Sequence, residues 1–171
     1  MRKILLPAAG LTVLALFVAA QNLTYVGAAK CALCHKTEKQ GQQYVIWQKS
    51  NHSQSFAALS TPQAAQAGQA LGVADPPNDP KCLKCHSPLA EKAAELKTDG
   101  VSCEVCHGPG SEYKKLAIMK DRAEAVKNGL ILYANAEAIK AHCLHCHENP
   151  HGKPFDFAAA VNKIKHPVPA K

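Results

Sequence analysis

The chain has 171 residues, which allows one domain and excludes a large multidomain enzyme. Apolar residues make up 47% but aromatics only 5%, so the peptide has little with which to build a large core of its own. The formal charge is +7, yet the lysines are scattered, with only Lys114–Lys115 and Lys163/Lys165 near one another. That distribution describes a solvated surface and argues against a nucleic-acid partner.

At the N-terminus Arg2 and Lys3 precede an uncharged apolar run from Ile4 to Ala20, closed by the small residues Val18, Ala19 and Ala20. This is the pattern of a signal peptide over residues 1–20, with cleavage expected after Ala20 and a mature domain over 21–171. The alternative is an uncleaved anchor, since the run approaches the shortest span length. Without a cysteine at its end, a lipid anchor is not expected. The expected location is periplasmic or extracellular, with no stable membrane span after cleavage.

The elements follow in chain order. Tyr25 and Gly27 lead into Cys31, Cys34 and His35. The spacing then predicts a helix over Lys36–Leu59 with Tyr44, Trp47 and Phe56 on its apolar side. Pro62, after Thr61, opens a second helix through Leu71. The proline-rich stretch from Asp75 to Pro80 is a loop, followed by Cys82, Cys85 and His86, then a helix over Leu89–Lys97. Asp99-Gly100 turns the chain into Cys103, Cys106 and His107, and Gly108-Pro109-Gly110 stops whatever helix carries them. Ser111 is the expected cap of a helix through Lys127, ended by Asn128-Gly129. Asn135 caps a helix running into Cys143, Cys146 and His147, and Asp156 caps a last helix that ends before His166-Pro167. No strand pattern is present.

All eight cysteines thus fall into four C-x-x-C pairs, each followed at once by histidine. C-x-x-C-H is the attachment motif of c-type haem. Two thioether bonds per haem would consume every cysteine, which a secreted chain with eight thiols otherwise leaves unexplained. The competing arrangement, two zinc ribbons, gives no reason for histidine after each second cysteine. The expectation is four covalently bound c-type haems, with His35, His86, His107 and His147 on one side of each iron. Haem propionates also matter to charge. Loss of Arg2 and Lys3 would lower the formal charge from +7 to +5, and about −1 per haem would bring the holoprotein near neutrality. The fold expected is mainly α and loop-rich, with haems forming most of the core and an apoprotein that is largely unfolded.

Second axial ligands must come from the remaining histidines, His52, His142, His145, His151 and His166. His52, His166, His142 and His151 are the candidates. His145, between two motif cysteines, reads as a surface or supporting group. Met119 is the one methionine after Met1 and reads as packing, so His/His ligation and low potentials are expected.

Tyr25-Val-Gly27 before Cys31, Trp47 with Ser50 and His52, and the run from Asp99 through Cys103-Glu-Val-Cys106-His107 to Ser111, with Tyr113, resemble the tetrahaem cytochrome c-554 family. The Gly100–Ser111 segment is the most specific part. The resemblance implies closely stacked haem pairs and a His52 that serves a haem other than that of His35. It also implies one haem without a sixth ligand, the second in sequence, on His86. In one place the chain departs from the pattern. The family supplies a distal histidine midway between the third and fourth motifs, whereas here the only one is His142, against Cys143.

The leading expectation is an electron carrier working between redox partner proteins. A haem enzyme reducing nitric oxide or a related nitrogen oxide is the first alternative, with Glu104, Lys84 or an unassigned histidine beside an open iron. The second is a self-associating filament subunit, in which His166 or His151 would ligate a neighbour's haem.

Overall fold

The computed structural model describes residues 22–148 and 151–168, so the expected signal segment over 1–20 lies outside them. Among the described residues there is no strand, and no helix is long and apolar enough to cross a membrane. The chain is mainly α-helical and loop-rich, as expected.

Helix α1 (Ala28–His35) begins after Gly27, and its first amide, on Ala28, donates to Asp99 Oδ2 at 2.8 Å. The long helix expected over Lys36–Leu59 is instead broken. A short 3₁₀ turn over Glu38–Gln40 ends at Gly41 and Gln42, both left-handed at φ 90° and 52°, and α2 spans only Gln43–Gln48. Two successive left-handed residues end helical hydrogen bonding. Beyond α2, Ser50, Ser53 and Ser55 donate their hydroxyls to the carbonyls of Trp47, Ser50 and His52. Such local bonds compete with a continuing helix.

Helix α3 (Pro62–Ala70) starts as expected, with Thr61 Oγ1 accepting from Ala64 N–H and proline in the first turn. Pro80 closes the predicted loop but also opens α4 (Pro80–His86), capped by Asp79. No helix covers Leu89–Lys97. Ala93 is extended and lets both Leu89 and Ala93 bury, and only a 3₁₀ stretch follows over Ala94–Asp99. The Ser87 hydroxyl donates to the Lys97 carbonyl at 2.8 Å and closes this segment on itself.

Helix α5 (Cys103–His107) stops at Gly108, whose carbonyl accepts from the buried Tyr113 hydroxyl. The single helix expected from Ser111 is two, α6 (Leu116–Met119) and α7 (Arg122–Lys127). Ser111 does not cap it, because its amide and hydroxyl both pair with the Thr24 backbone. The second break is made by Asp121, which accepts from the amides of Ala123 and Glu124. Helices α8 (Ala136–His147) and α9 (Phe157–Ile164) carry their predicted caps, Asn135 and Asp156.

Packing is sparse. The buried apolar side chains are Ala28, Leu59, Val73, Leu89, Ala93, Tyr113 and Ala125, mostly small. Helix α1 packs on α2 and α5, α4 on α8, and α6 on α7. Two of these contacts, α1 on α5 and α4 on α8, join helices that carry the motifs.

Candidate haem sites

Each of the four motifs lies on a helix that ends on its own histidine: α1 at His35, α4 at His86, α5 at His107 and α8 at His147. One helical turn puts the two cysteines of C-x-x-C on the same side, and the next residue projects from the frayed end. No two of the eight cysteines are joined in a disulfide. Among the described residues no group of three or more His, Cys, Asp or Glu side chains converges as a metal-ion cluster, which a zinc ribbon would need.

The motif helices associate in a definite way. Helix α1 packs on α5, and Cys31 and Cys103 are close enough that each shifts the other, raising Cys103 and lowering Cys31 relative to an ordinary thiol. Where α4 packs on α8, Cys85 lies against Cys146, whose thiol is pushed up to about 12 by burial first and by Cys85 next. The first motif therefore sits beside the third, and the second beside the fourth. A cleft of about 260 Å³ opens between them, bordered by Tyr25, Lys92, Val105 and Cys146.

Three of the motif histidines each have a second histidine ring near them, tilted or edge-on. His52 and His147 have ring centres 6.1 Å apart, His86 and His151 6.1 Å, and His107 and His166 5.9 Å. Metal–imidazole bonds of about 2 Å on both sides of one ion set ring centres on the order of 6 Å apart. The donor set and its spacing fit a haem iron between each pair. Burial first, and the facing histidine second, hold both His52 and His107 below the ordinary imidazole range, in the neutral form that a metal takes.

Supporting groups orient the rings. His86 Nδ1 donates to the Ser55 carbonyl at 2.9 Å, and His35 Nδ1 to Gln43 Oε1 at 3.2 Å. Such bonds fix the tautomer that leaves Nε2 for metal. Phe155 stacks on His147 at 4.5 Å and 12°. The segment that delivers His52 is held by Ser55, whose Oγ lies 2.8 Å from the His86 carbonyl and 3.0 Å from the Val101 amide. Trp47 Nε1 donates to the Val101 carbonyl at 2.8 Å.

Other candidates are placed differently. The ring of His142 lies 5.3 Å from Tyr133 and 5.8 Å from His145, and no motif histidine faces it comparably among the described residues. His145 is exposed, and Met119 is half-buried at the end of α6. Lys84 is exposed. Glu104 does not border an open iron as a free polar group. It is 1% exposed, and its carboxylate accepts from the amides of Val26, Gly27 and Gly110 at 2.6–3.0 Å.

Sequence reasoning missed this cage, and missed Ser55, Gln43 and Phe155 as supports. For Glu104 a signal was present, since an acidic residue inside the third motif faces a Gly-Pro-Gly stretch whose amides helix cannot satisfy.

Helix-ending C-x-x-C-H motifs with paired thioether positions and facing imidazoles define a c-type cytochrome, a protein with covalently attached haem. Residues 30–108 match the family described as Cytochrome c554 and c-prime. Over 90% of its length the chain is 26% identical to cytochrome c-554 of Nitrosomonas europaea, spanning 72% of that protein. No solved structure matches. The resemblance to the cytochrome c-554 family, read from the motifs, therefore holds.

Proposed function

We propose that the chain is an exported tetrahaem cytochrome that passes electrons between redox partner proteins. Its haems would be held by Cys31/Cys34, Cys82/Cys85, Cys103/Cys106 and Cys143/Cys146. His35, His86, His107 and His147 would each hold a haem iron from one side. His52 serves the haem of His147, His151 that of His86, and His166 that of His107. The observation that carries this reading is the set of three imidazole pairs at 5.9–6.1 Å.

Haem iron supplies the one-electron chemistry. The chain's own work is to hold the haems close, exclude water and tune ligand basicity. Histidine on both sides keeps potentials below those of His/Met sites. The Cys31–Cys103 and Cys85–Cys146 contacts support two close haem pairs. The Ser55 carbonyl and Gln43 side chain, by accepting the Nδ1 protons of His86 and His35, make those imidazoles stronger donors.

The filament alternative calls for a histidine without a haem in its own chain. His151 and His166 each face a motif histidine of the same chain, which favours the single-chain carrier. Export rests on the pattern of residues 1–20.

Haem content tests the reading. Protein matured in an export-competent host should carry four haems per chain by pyridine haemochrome assay, and the double variant C82A/C85A should carry three. A wild-type count other than four, or a C82A/C85A count equal to wild type, would overturn it. Intact mass should also place the mature N-terminus at Gln21.

A further inference from the structure

Seven of the nine histidines have a place in the proposed haem sites, and His142 and His145 do not. Both lie on α8, one turn apart, with ring centres at 5.8 Å and ring planes inclined at 62°. The separation is close to that of the three pairs above, but the setting differs. Two side chains on successive turns of one helix leave no room for a porphyrin between them, since its plane would run into the helix backbone. A single ion suits that space. Metal–imidazole bonds of about 2 Å reach across it when the angle at the metal is bent.

Other contacts prepare the two rings. His145 Nδ1 lies 3.0 Å from the His142 carbonyl. A carbonyl only accepts, so Nδ1 carries the proton and donates it, and Nε2 keeps its lone pair for a metal. A backbone bond of this kind is what orients metal-ligating histidines. His142 packs 5.3 Å from the Tyr133 ring, and Tyr133 is anchored in turn by its hydroxyl, which donates to the Cys106 carbonyl at 3.0 Å. His145 is exposed and His142 half-buried, and both border the 260 Å³ cleft, so an ion has a path from solution.

We infer that His142 and His145 form a surface site for one divalent transition-metal ion of the zinc or copper class, separate from the haem irons and completed by water. The ion class follows from the donors. Hard cations such as magnesium and calcium need oxygen ligands. Among the residues bordering the cleft the one carboxylate is that of Glu104, which is spent on three backbone amides, while Lys84 and Lys92 add positive charge. Imidazole nitrogen suits zinc, copper and nickel instead. Two protein donors leave the rest of the shell to water, so the ion exchanges with solution and is not a structural centre.

Equilibrium dialysis of chelator-washed holoprotein against zinc sulfate tests this, with zinc and iron counted per chain in the same sample. Wild type should hold one zinc per chain, and dialysis against magnesium should leave none bound. His145→Ala and His142→Ala should each weaken zinc binding by about tenfold or more. Both variants should keep the wild-type electron paramagnetic resonance spectrum of their ferric haems, since neither ring serves a haem iron.

Wild type that binds no zinc would overturn the inference, and so would zinc binding unchanged in His145→Ala. A new high-spin haem in His142→Ala would overturn it equally, because His142 would then be an axial ligand. His145→Ala decides the matter alone if His142→Ala fails to fold. The iron count is read independently, so a haem number other than four fails the tetrahaem reading and leaves the zinc result standing.

Discussion

The amide of Gly27 donates to Glu104 Oε2 at 2.7 Å across 77 residues of sequence. The same carboxylate receives Val26 and Gly110, and neighbouring Asp99 receives Ala28. A residue inside the third haem motif thus fixes where the first motif begins. Because an ionised carboxylate only accepts, it suits three amides that have no other partner. The first and third motifs are held side by side through the backbone, independently of any thioether bond.

Glu104→Ala would leave those amides buried and unsatisfied. Each such group costs about 1–3 kcal/mol, so the variant should lose about 3 kcal/mol or more. Guanidinium unfolding of the holoprotein, followed by far-ultraviolet circular dichroism, checks it. Haem content should stay at the wild-type value, which separates a structural role from a role in attachment.

Gly100→Ala should be more disruptive than its size implies. Gly100 has φ 63° and ψ −134°, a region closed to other L residues, and an added Cβ would lie 2.6 Å from Ser55 Oγ and 2.8 Å from the His52 carbonyl. Strain of about 1–3 kcal/mol adds to that clash, and the displaced group is the turn that delivers His52. The expected result is a lower midpoint of thermal unfolding together with a new high-spin signal from the haem of His147.

His52→Met should move one redox couple and leave the rest. Methionine opposite histidine raises haem potential, by on the order of a hundred millivolts or more within the range that axial ligands command. A spectroelectrochemical titration should show one of four waves shifted positively. A uniform shift of all waves would point to unfolding instead.

Chain produced without haem attachment should lack a stable fold. Among the described residues the buried apolar set is seven, three of them alanines, too little to offset chain entropy over such a length. Circular dichroism of apoprotein from a cytosolic expression should show little helix, and limited proteolysis should cut throughout.

What was legible in the sequence divides along a physical line. Local chemistry was readable: Thr61, Asn135 and Asp156 cap the helices expected of them, and each motif ends a helix. Long apolar periodicities misled. Lys36–Leu59 and Ser111–Lys127 have helical spacing, yet Gly41–Gln42 and Asp121 cut them, and Ser111 is drawn to Thr24 instead. Leu89–Lys97 also satisfies the helical period but closes through Ser87 on Lys97.

The facing histidines were harder still. His52, which follows a helix bearing Trp47, was readable as able to reach a haem other than that of His35, but nothing local to His151 or His166 says which motif each meets. That information lies in how α4 packs on α8 and how the tail crosses Gln43.

The order of those partners along the chain has a last consequence. His52, His86 and His107 come first, and their partners His147, His151 and His166 follow in the same sequence. With iron between each pair, three interleaved cross-links would tie the front half of the chain to the back. Every loop so closed contains an end of the others, so no stretch between His52 and His166 could come loose alone. Closing long loops removes freedom from the unfolded chain, and interleaving makes the release of any one loop depend on the rest. The protein should therefore unravel in a single step, and a nick in one surface turn should leave the two pieces joined.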